Sequence, residues 1–148
     1  MIGFTLSYKM FFMNSINFNT LSEEYIKGNG TLFDGDICWE DYDIYNKPAS
    51  EGGKPFTGLL YETYDNGKIA FYGYVTDGGY DGEKVCFYKN GQIESYCKMK
   101  LGAYYGKLYE WYENGQLKEF REKSEDYKHE WIKRWDENGV LLEDRQLK

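Results

Sequence analysis

Histidine occurs once in this 148-residue sequence, cysteine three times and proline twice. Because His129 is the only histidine, a Ser-His-Asp or Cys-His nucleophilic site could be assembled around that position alone. Flanked by Lys128 and Glu130, it reads instead as a solvated structural residue. The three cysteines, Cys38, Cys86 and Cys97, show no paired-ligand spacing among themselves or with His129, so neither a metal nor a cofactor is expected. Their odd number leaves a thiol out of any complete pairing, which argues against a disulfide-built secreted fold and for a reducing, cytoplasmic setting.

Positive charge is also scarce. Against 25 Asp and Glu stand 18 Lys and Arg, a formal net charge of −7, and such a surface repels phosphate backbones and anionic headgroups. Nucleic acid and membrane are therefore excluded as expected partners, and a basic protein is favoured. No 18-residue apolar stretch offers a membrane-spanning helix. The first 18 residues are apolar, but Thr5, Ser7, Tyr8 and Lys9 interrupt them, no basic residue precedes them and no small-x-small cleavage site follows. The alternation of Phe4, Leu6, Tyr8 and Met10 reads as a strand instead of a signal peptide.

What the chain has in abundance is aromatic residues (16 Tyr, 9 Phe, 4 Trp) and a dipeptide at fixed pitch. Asn66-Gly67, Asn90-Gly91, Asn114-Gly115 and Asn138-Gly139 follow one another at intervals of 24 residues. Asn-Gly favours a two-residue type I′ hairpin turn, in which both residues take positive φ. A branched aliphatic stands three residues after each Asn (Ile69, Ile93, Leu117, Leu141). Six after it come Tyr72, Tyr96 and Phe120, then Asp144; two before it come Tyr64, Tyr88 and Tyr112, with Trp135 displaced by one residue and an extra residue at Asp136 in the last unit. An aromatic-x-Gly step recurs at Phe56-x-Gly58, Tyr80-x-Gly82 and Tyr104-x-Gly106, becomes Tyr127-x-His129, and occurs once earlier at Phe33-x-Gly35.

A two-residue turn fixes register. It sets Tyr64 across from Ile69 and Tyr61 from Tyr72, Tyr88 from Ile93 and Val85 from Tyr96, Tyr112 from Leu117 and Tyr109 from Phe120. Each such pair contributes roughly 0.2–1 kcal/mol, and stacked hairpins accumulate stability with number. The glycines at 58, 82 and 106 are expected where one hairpin turns into the next. The same register puts Cys86 opposite Ser95, with Cys97 a diagonal neighbour too distant for an unstrained disulfide.

The unit from Gly106 to Glu119, Gly-Lys-Leu-Tyr-Glu-Trp-Tyr-Glu-Asn-Gly-Gln-Leu-Lys-Glu, resembles the MORN-repeat variant of bacterial proteins, some of which are antitoxins or toxin-immunity proteins. The resemblance covers about residues 56–144, extending to 33 in degenerate form. It implies an antiparallel sheet of hairpins and a role in protein contact, and brings no catalytic residues with it. The expected architecture is all-β: an elongated, twisted antiparallel sheet of tandem hairpins, with an N-terminal cap over residues 1–32 and units at 33–55 (degenerate, its turn replaced by the segment Asp43 to Pro48), 56–79, 80–103, 104–126 and 127–148. In the cap, Thr20-Leu-Ser-Glu23 matches a capping box, Gly28 could close a short helix, and a turn at Asn29-Gly30 would start the first strand pair.

Other constellations carry little chemistry. Gly52-Gly53-Lys54 lacks the upstream glycine and following hydroxyl of a phosphate loop and reads as linker. Asp77-Gly-Gly-Tyr-Asp81-Gly82 lacks a closing Glu for calcium and reads as an inter-repeat turn. Glu110 and Glu119 face each other in the third hairpin but read as solvated charges near Arg121. The strongest binding signal lies in the acidic, aromatic segment Asp34, Asp36, Trp39, Glu40, Asp41, Tyr42, Asp43, Tyr45. Residues 20–53 hold eight acids against two lysines, a patch suited to steering a basic partner and anchoring it through aromatic rings. The expected function is non-enzymatic protein binding by an immunity or antitoxin type of molecule that neutralises a basic toxin. The alternatives are a self-associating scaffold and, less favoured, an enzyme or a carbohydrate-binding module built on Trp111, Trp131 and Trp135.

Overall fold

Antiparallel strands, most of them reversed by glycine-containing turns, dominate the computed structural model, which describes residues 18–148. Strands β4 (Gly58–Thr63), β5 (Ile69–Thr76), β6 (Gly79–Phe87), β7 (Ile93–Lys100), β8 (Ala103–Trp111), β9 (Leu117–Lys123), β10 (Glu130–Trp135) and β11 (Leu141–Leu147) form an antiparallel meander in sequence order. A ninth strand, β1 (Thr31–Leu32), joins its β4 edge in parallel. The expected all-β hairpin architecture holds, but the sheet is mixed. The expected strand at Phe4 to Met10 lies outside the described residues.

The Asn-Gly turns differ from expectation in one respect. Only the glycine is left-handed, as at Gly67 with φ +80°, while the asparagines are not among the positive-φ residues. Gly67 N donates to Tyr64 O and Tyr64 N to Lys68 O, closing a three-residue loop with a bulge; the Asn66 carboxamide oxygen accepts from Lys68 N at 3.0 Å. The added residue shifts the ends of the hairpins. Tyr61–Tyr72, Val85–Tyr96, Tyr109–Phe120 and Cys86–Ser95 pair as expected, whereas Ile69, Ile93 and Leu117 stand opposite Thr63, Phe87 and Trp111 instead of the tyrosines one residue further on.

Those tyrosines have another task. Tyr64 Oη donates to Phe87 O at 2.6 Å, Tyr88 Oη to Trp111 O at 2.7 Å and Tyr112 Oη to Trp135 O at 2.9 Å. Each hairpin thus clips its turn to the end of the outgoing strand of the next one. In the fourth turn Asp136 occupies the tyrosine position, with Asp136 N donating to Val140 O and Gly139 N to Asp136 O. Asp136 is therefore a replacement, and the irregular spacing of the last unit resides in the loop at 124–129.

Genuine two-residue turns with both φ positive do occur, but between the hairpins, at Asp77-Gly78 and Leu101-Gly102. Gly82 and Gly106 lie a few residues beyond these reversals, where the β5–β6 and β7–β8 registers shift, so they mark bulges and not the bends themselves.

Residues 33–55 form no further unit of the sheet. They build a separate hairpin, β2 (Cys38–Glu40) with β3 (Asp43–Tyr45), reversed at Asp41-Tyr42 instead of across Asp43 to Pro48, and followed by a single 3-10 turn at Ala49–Glu51. The N-terminal helix α1 (Glu23–Asn29) is capped by Ser22, whose Oγ accepts from Tyr25 N, and ends as Gly30 N donates to Ile26 O. Ser22 and Gly30 thus take the capping places expected of Thr20 and Gly28, because Thr20 lies two residues too early to reach the first free amides.

Helix and hairpin cover opposite faces. Ile26, Leu59, Ile69, Tyr72 and Val85 cluster under α1 on one face, while Ile37, Ile44, Leu60, Val75 and Tyr80 cluster under β2–β3 on the other. Burying each such aliphatic side chain stabilises by about 1.5–3 kcal/mol. Around β4–β6 the molecule is three layers thick.

Candidate functional site

Hairpin β2–β3 is fastened to the sheet by backbone bonds at one point. Ile44 N donates to Gly78 O at 2.8 Å, Gly78 N to Phe56 O at 2.8 Å and Phe56 N to Ile44 O at 2.7 Å. Gly78 is required twice: its φ is +85°, and a Cβ there would lie 2.7 Å from Asp43 Cβ. Ile44 is wholly buried beneath this junction. The loop behind the hairpin is ordered by Glu40 Oε1, which accepts from Ala49 N, and Asn46 Oδ1, which accepts from Lys54 N, each at 2.9 Å. Gly52-Gly53-Lys54 belongs to this loop.

From that anchorage the hairpin presents Trp39, 56% exposed, and Tyr42, 94% exposed, around a turn in which Asp41 is held at φ +54°. Glu40 and Asp43 are paired across the strands. Of the eight residues singled out in the acidic, aromatic segment, five, Trp39, Glu40, Asp41, Tyr42 and Asp43, are therefore brought together around the turn of one small, supported element. Asp34 and Asp36 lie exposed in the segment leading to it. Tyr45 continues β3 and bridges to Pro55.

Trp111, Trp131 and Trp135 do share a sheet face, since Tyr109 pairs with Phe120 and Phe120 with Lys133, and each tryptophan stands two residues from a member of that row. Phe18, however, packs against Trp111, Tyr109 and Tyr96, with ring centroids 5.4, 5.1 and 4.1 Å away. The chain itself thus occupies part of this aromatic shelf.

His129 is half-buried, less open to solvent than its charged neighbours suggested. Its backbone N donates to Ser124 Oγ at 3.1 Å and its O accepts from Ser124 N, while its ring lies 6.4 Å from that of Trp131. Glu110 and Glu119 do face each other, yet Glu119 is only 8% exposed. It is bridged by Arg121 and Arg134; Arg134 Nη1 also donates to Glu143 at 2.7 Å, and Glu143 in turn pairs with Arg145. Burial pushes the Glu119 carboxyl up, and the hydrogen bonds and charges of the two arginines outweigh that and hold it below the usual carboxylate range. The sequence reading missed this network, although the signal was present: carboxylates and guanidiniums alternate on the β9–β11 face once the register is known.

A second missed feature is the pair of apolar side chains held at left-handed backbone on the turns between hairpins. Leu101 (φ +51°, 87% exposed) and Tyr127 (φ +59°) line one shallow depression. Their neighbours in sequence, Lys100, Gly102, Asp126 and Lys128, disguise them as ordinary turn residues.

The chain was compared with family models, with curated proteins and with solved structures, and it matches none of them. No helix among the described residues is long and apolar enough to cross a membrane.

Proposed function

We propose that this chain is a non-enzymatic protein-binding module that engages a basic partner through hairpin β2–β3. The observation that carries the reading is the display of Trp39 and Tyr42 beside Asp41 and Asp43 on an element whose base is fixed by Gly78 and Ile44. Exposed aromatic rings on a firm support supply anchors at low entropic cost, and the acidic rim steers a cationic surface toward them. In its specific form the partner is a toxin that the chain neutralises, a version motivated by the MORN-like resemblance and the net charge of −7. The three free thiols suit action in a reducing compartment such as the cytoplasm.

The test is binding to basic effector proteins encoded beside its gene. Replacing both Asp41 and Asp43 by Lys is expected to slow association about tenfold or more at low salt, with little change in dissociation, measured by stopped-flow. An unchanged association rate removes the hairpin as the site, and failure of every neighbouring effector to bind removes the toxin reading.

One observation favours a second reading, edge-to-edge self-association. Val140, Leu141 and Leu142, all more than half exposed, lie at the start of β11, the last strand of the described sheet. A sedimentation coefficient independent of concentration would dispose of it.

A further inference from the structure

Three sulfur atoms line one groove, of about 360 Å³, on the sheet face opposite helix α1. Cys97 Sγ and Met99 Sδ, on the same strand, are 3.5 Å apart, the thiol donating to the thioether. Cys86 lines the groove from the neighbouring strand, one diagonal step from Cys97, because Cys86 pairs with Ser95 and Cys97 with Lys84. All three cysteines are free thiols.

We propose that Cys86, Cys97 and Met99 form a binding site for a soft monovalent metal ion, Cu(I). Thiolate and thioether sulfur together select such an ion over harder divalent cations. When only His, Cys, Asp and Glu are counted, no group of three that could hold a metal occurs among the described residues; the thioether completes the set. Geometry favours an ion over a disulfide. A cross-strand diagonal, roughly 7 Å between backbones, is too wide for a 2.05 Å sulfur–sulfur bond, but an ion placed between two sulfurs adds two bonds of about 2.3 Å each. The Cys97–Met99 separation fits the same bond length with an angle of about 100° at the metal.

Charge is also provided for. Coordination turns both thiols into thiolates, their protons passing to solvent, so that Cu(I) with two thiolates carries one net negative charge. Lys84, directly across from Cys97, and Lys123 line the same groove against the one carboxylate of Glu110, so its lining has a positive charge to spare to balance it. In effect the ion takes the place of the proton that Cys97 now shares with Met99.

The experiment titrates the reduced full-length chain, without oxygen, against the coloured Cu(I) complex of bicinchoninate. The wild-type chain is expected to withdraw one equivalent of copper. Cys97→Ser and Cys86→Ser should each weaken retention about tenfold or more, at least the loss that outer partners of a metal ligand produce. Met99→Leu, which keeps the volume and removes the sulfur, should weaken it measurably, and Cys38→Ser on hairpin β2–β3 should leave it unchanged. Thermal melts of each variant confirm folding; should Cys97→Ser unfold, Cys86→Ser and Met99→Leu decide the matter. A wild-type chain that withdraws no copper, equal loss on Cys38→Ser, or full retention by both Cys86→Ser and Met99→Leu overturns the site.

Discussion

A tyrosine two residues before each Asn-Gly pair looks at first like one more aromatic in a sequence full of them. Its hydroxyl is what distinguishes it, since it spans 23 residues of sequence to reach a carbonyl at the end of a strand of the next hairpin. Tyr88→Phe deletes the donor and leaves Trp111 O without it, while the ring and its packing stay. Urea denaturation should show a loss of about 1 kcal/mol, and the same change at Tyr61, which is also a half-buried tyrosine but outside this clip, should cost less. The sequence pattern located Tyr64, Tyr88 and Tyr112 but assigned them the wrong partner. Periodicity tells that a position is used, and only the bulge geometry reveals that the side chain serves the following unit and not its own strand.

Among the elements, the four Asn-Gly turns and the eight strands of the meander were foreseeable because dipeptide pitch and aromatic alternation agree. Hairpin β2–β3 was not. Phe33-x-Gly35 imitates the opening of a unit, but its continuation lacks the Asn-Gly turn, so nothing sets the register that would join it to the sheet. Ile37 and Ile44 instead direct it onto Leu60, Val75 and Tyr80 as a covering layer. The acidic and aromatic residues of the candidate site were visible as composition; their support was not, because it depends on Gly78, a residue more than thirty positions away. Gly78→Ala places a Cβ against Asp43 and forces a left-handed alanine. We expect a cost of about 2 kcal/mol or more in thermal or urea unfolding, together with faster amide exchange at Ile44 and Phe56. Asp41→Lys with Asp43→Lys should leave both stability and exchange at these positions nearly unaltered, separating the site's support from its recognition surface.

In the molecule as a whole, interior tyrosines tie the layers together. Tyr72, wholly buried, donates to Glu83 and accepts from Leu21 N at 3.0 Å, and Tyr96 donates to the other oxygen of Glu83 at 3.0 Å. Burial raises the pKa of Tyr72, Tyr80 and Tyr96, and the hydrogen bond to the Glu83 carboxylate raises Tyr72 and Tyr96 further; Tyr80 and Tyr96 are pushed up to about 12. A group whose pKa is raised on folding contributes stability that is complete below its unfolded value, about 10 for tyrosine, and is lost as pH climbs through the folded value. Stability followed by circular dichroism should therefore be insensitive to these groups below about pH 10 and decline between about pH 10 and 12. Tyr72→Phe should flatten that decline. A decline that Tyr72→Phe leaves unchanged would contradict the assignment.

Asp136 ends the series of clips. Where Tyr64, Tyr88 and Tyr112 each extend a hydroxyl toward a following hairpin, the fourth turn folds its carboxylate inward to accept from Asn138 N at 2.9 Å and Val140 N at 2.8 Å. A carboxylate cannot donate as a phenol does, so at this corner the hydrogen bonding turns back on its own loop, and the chain has exchanged a strap between neighbours for a brace within one.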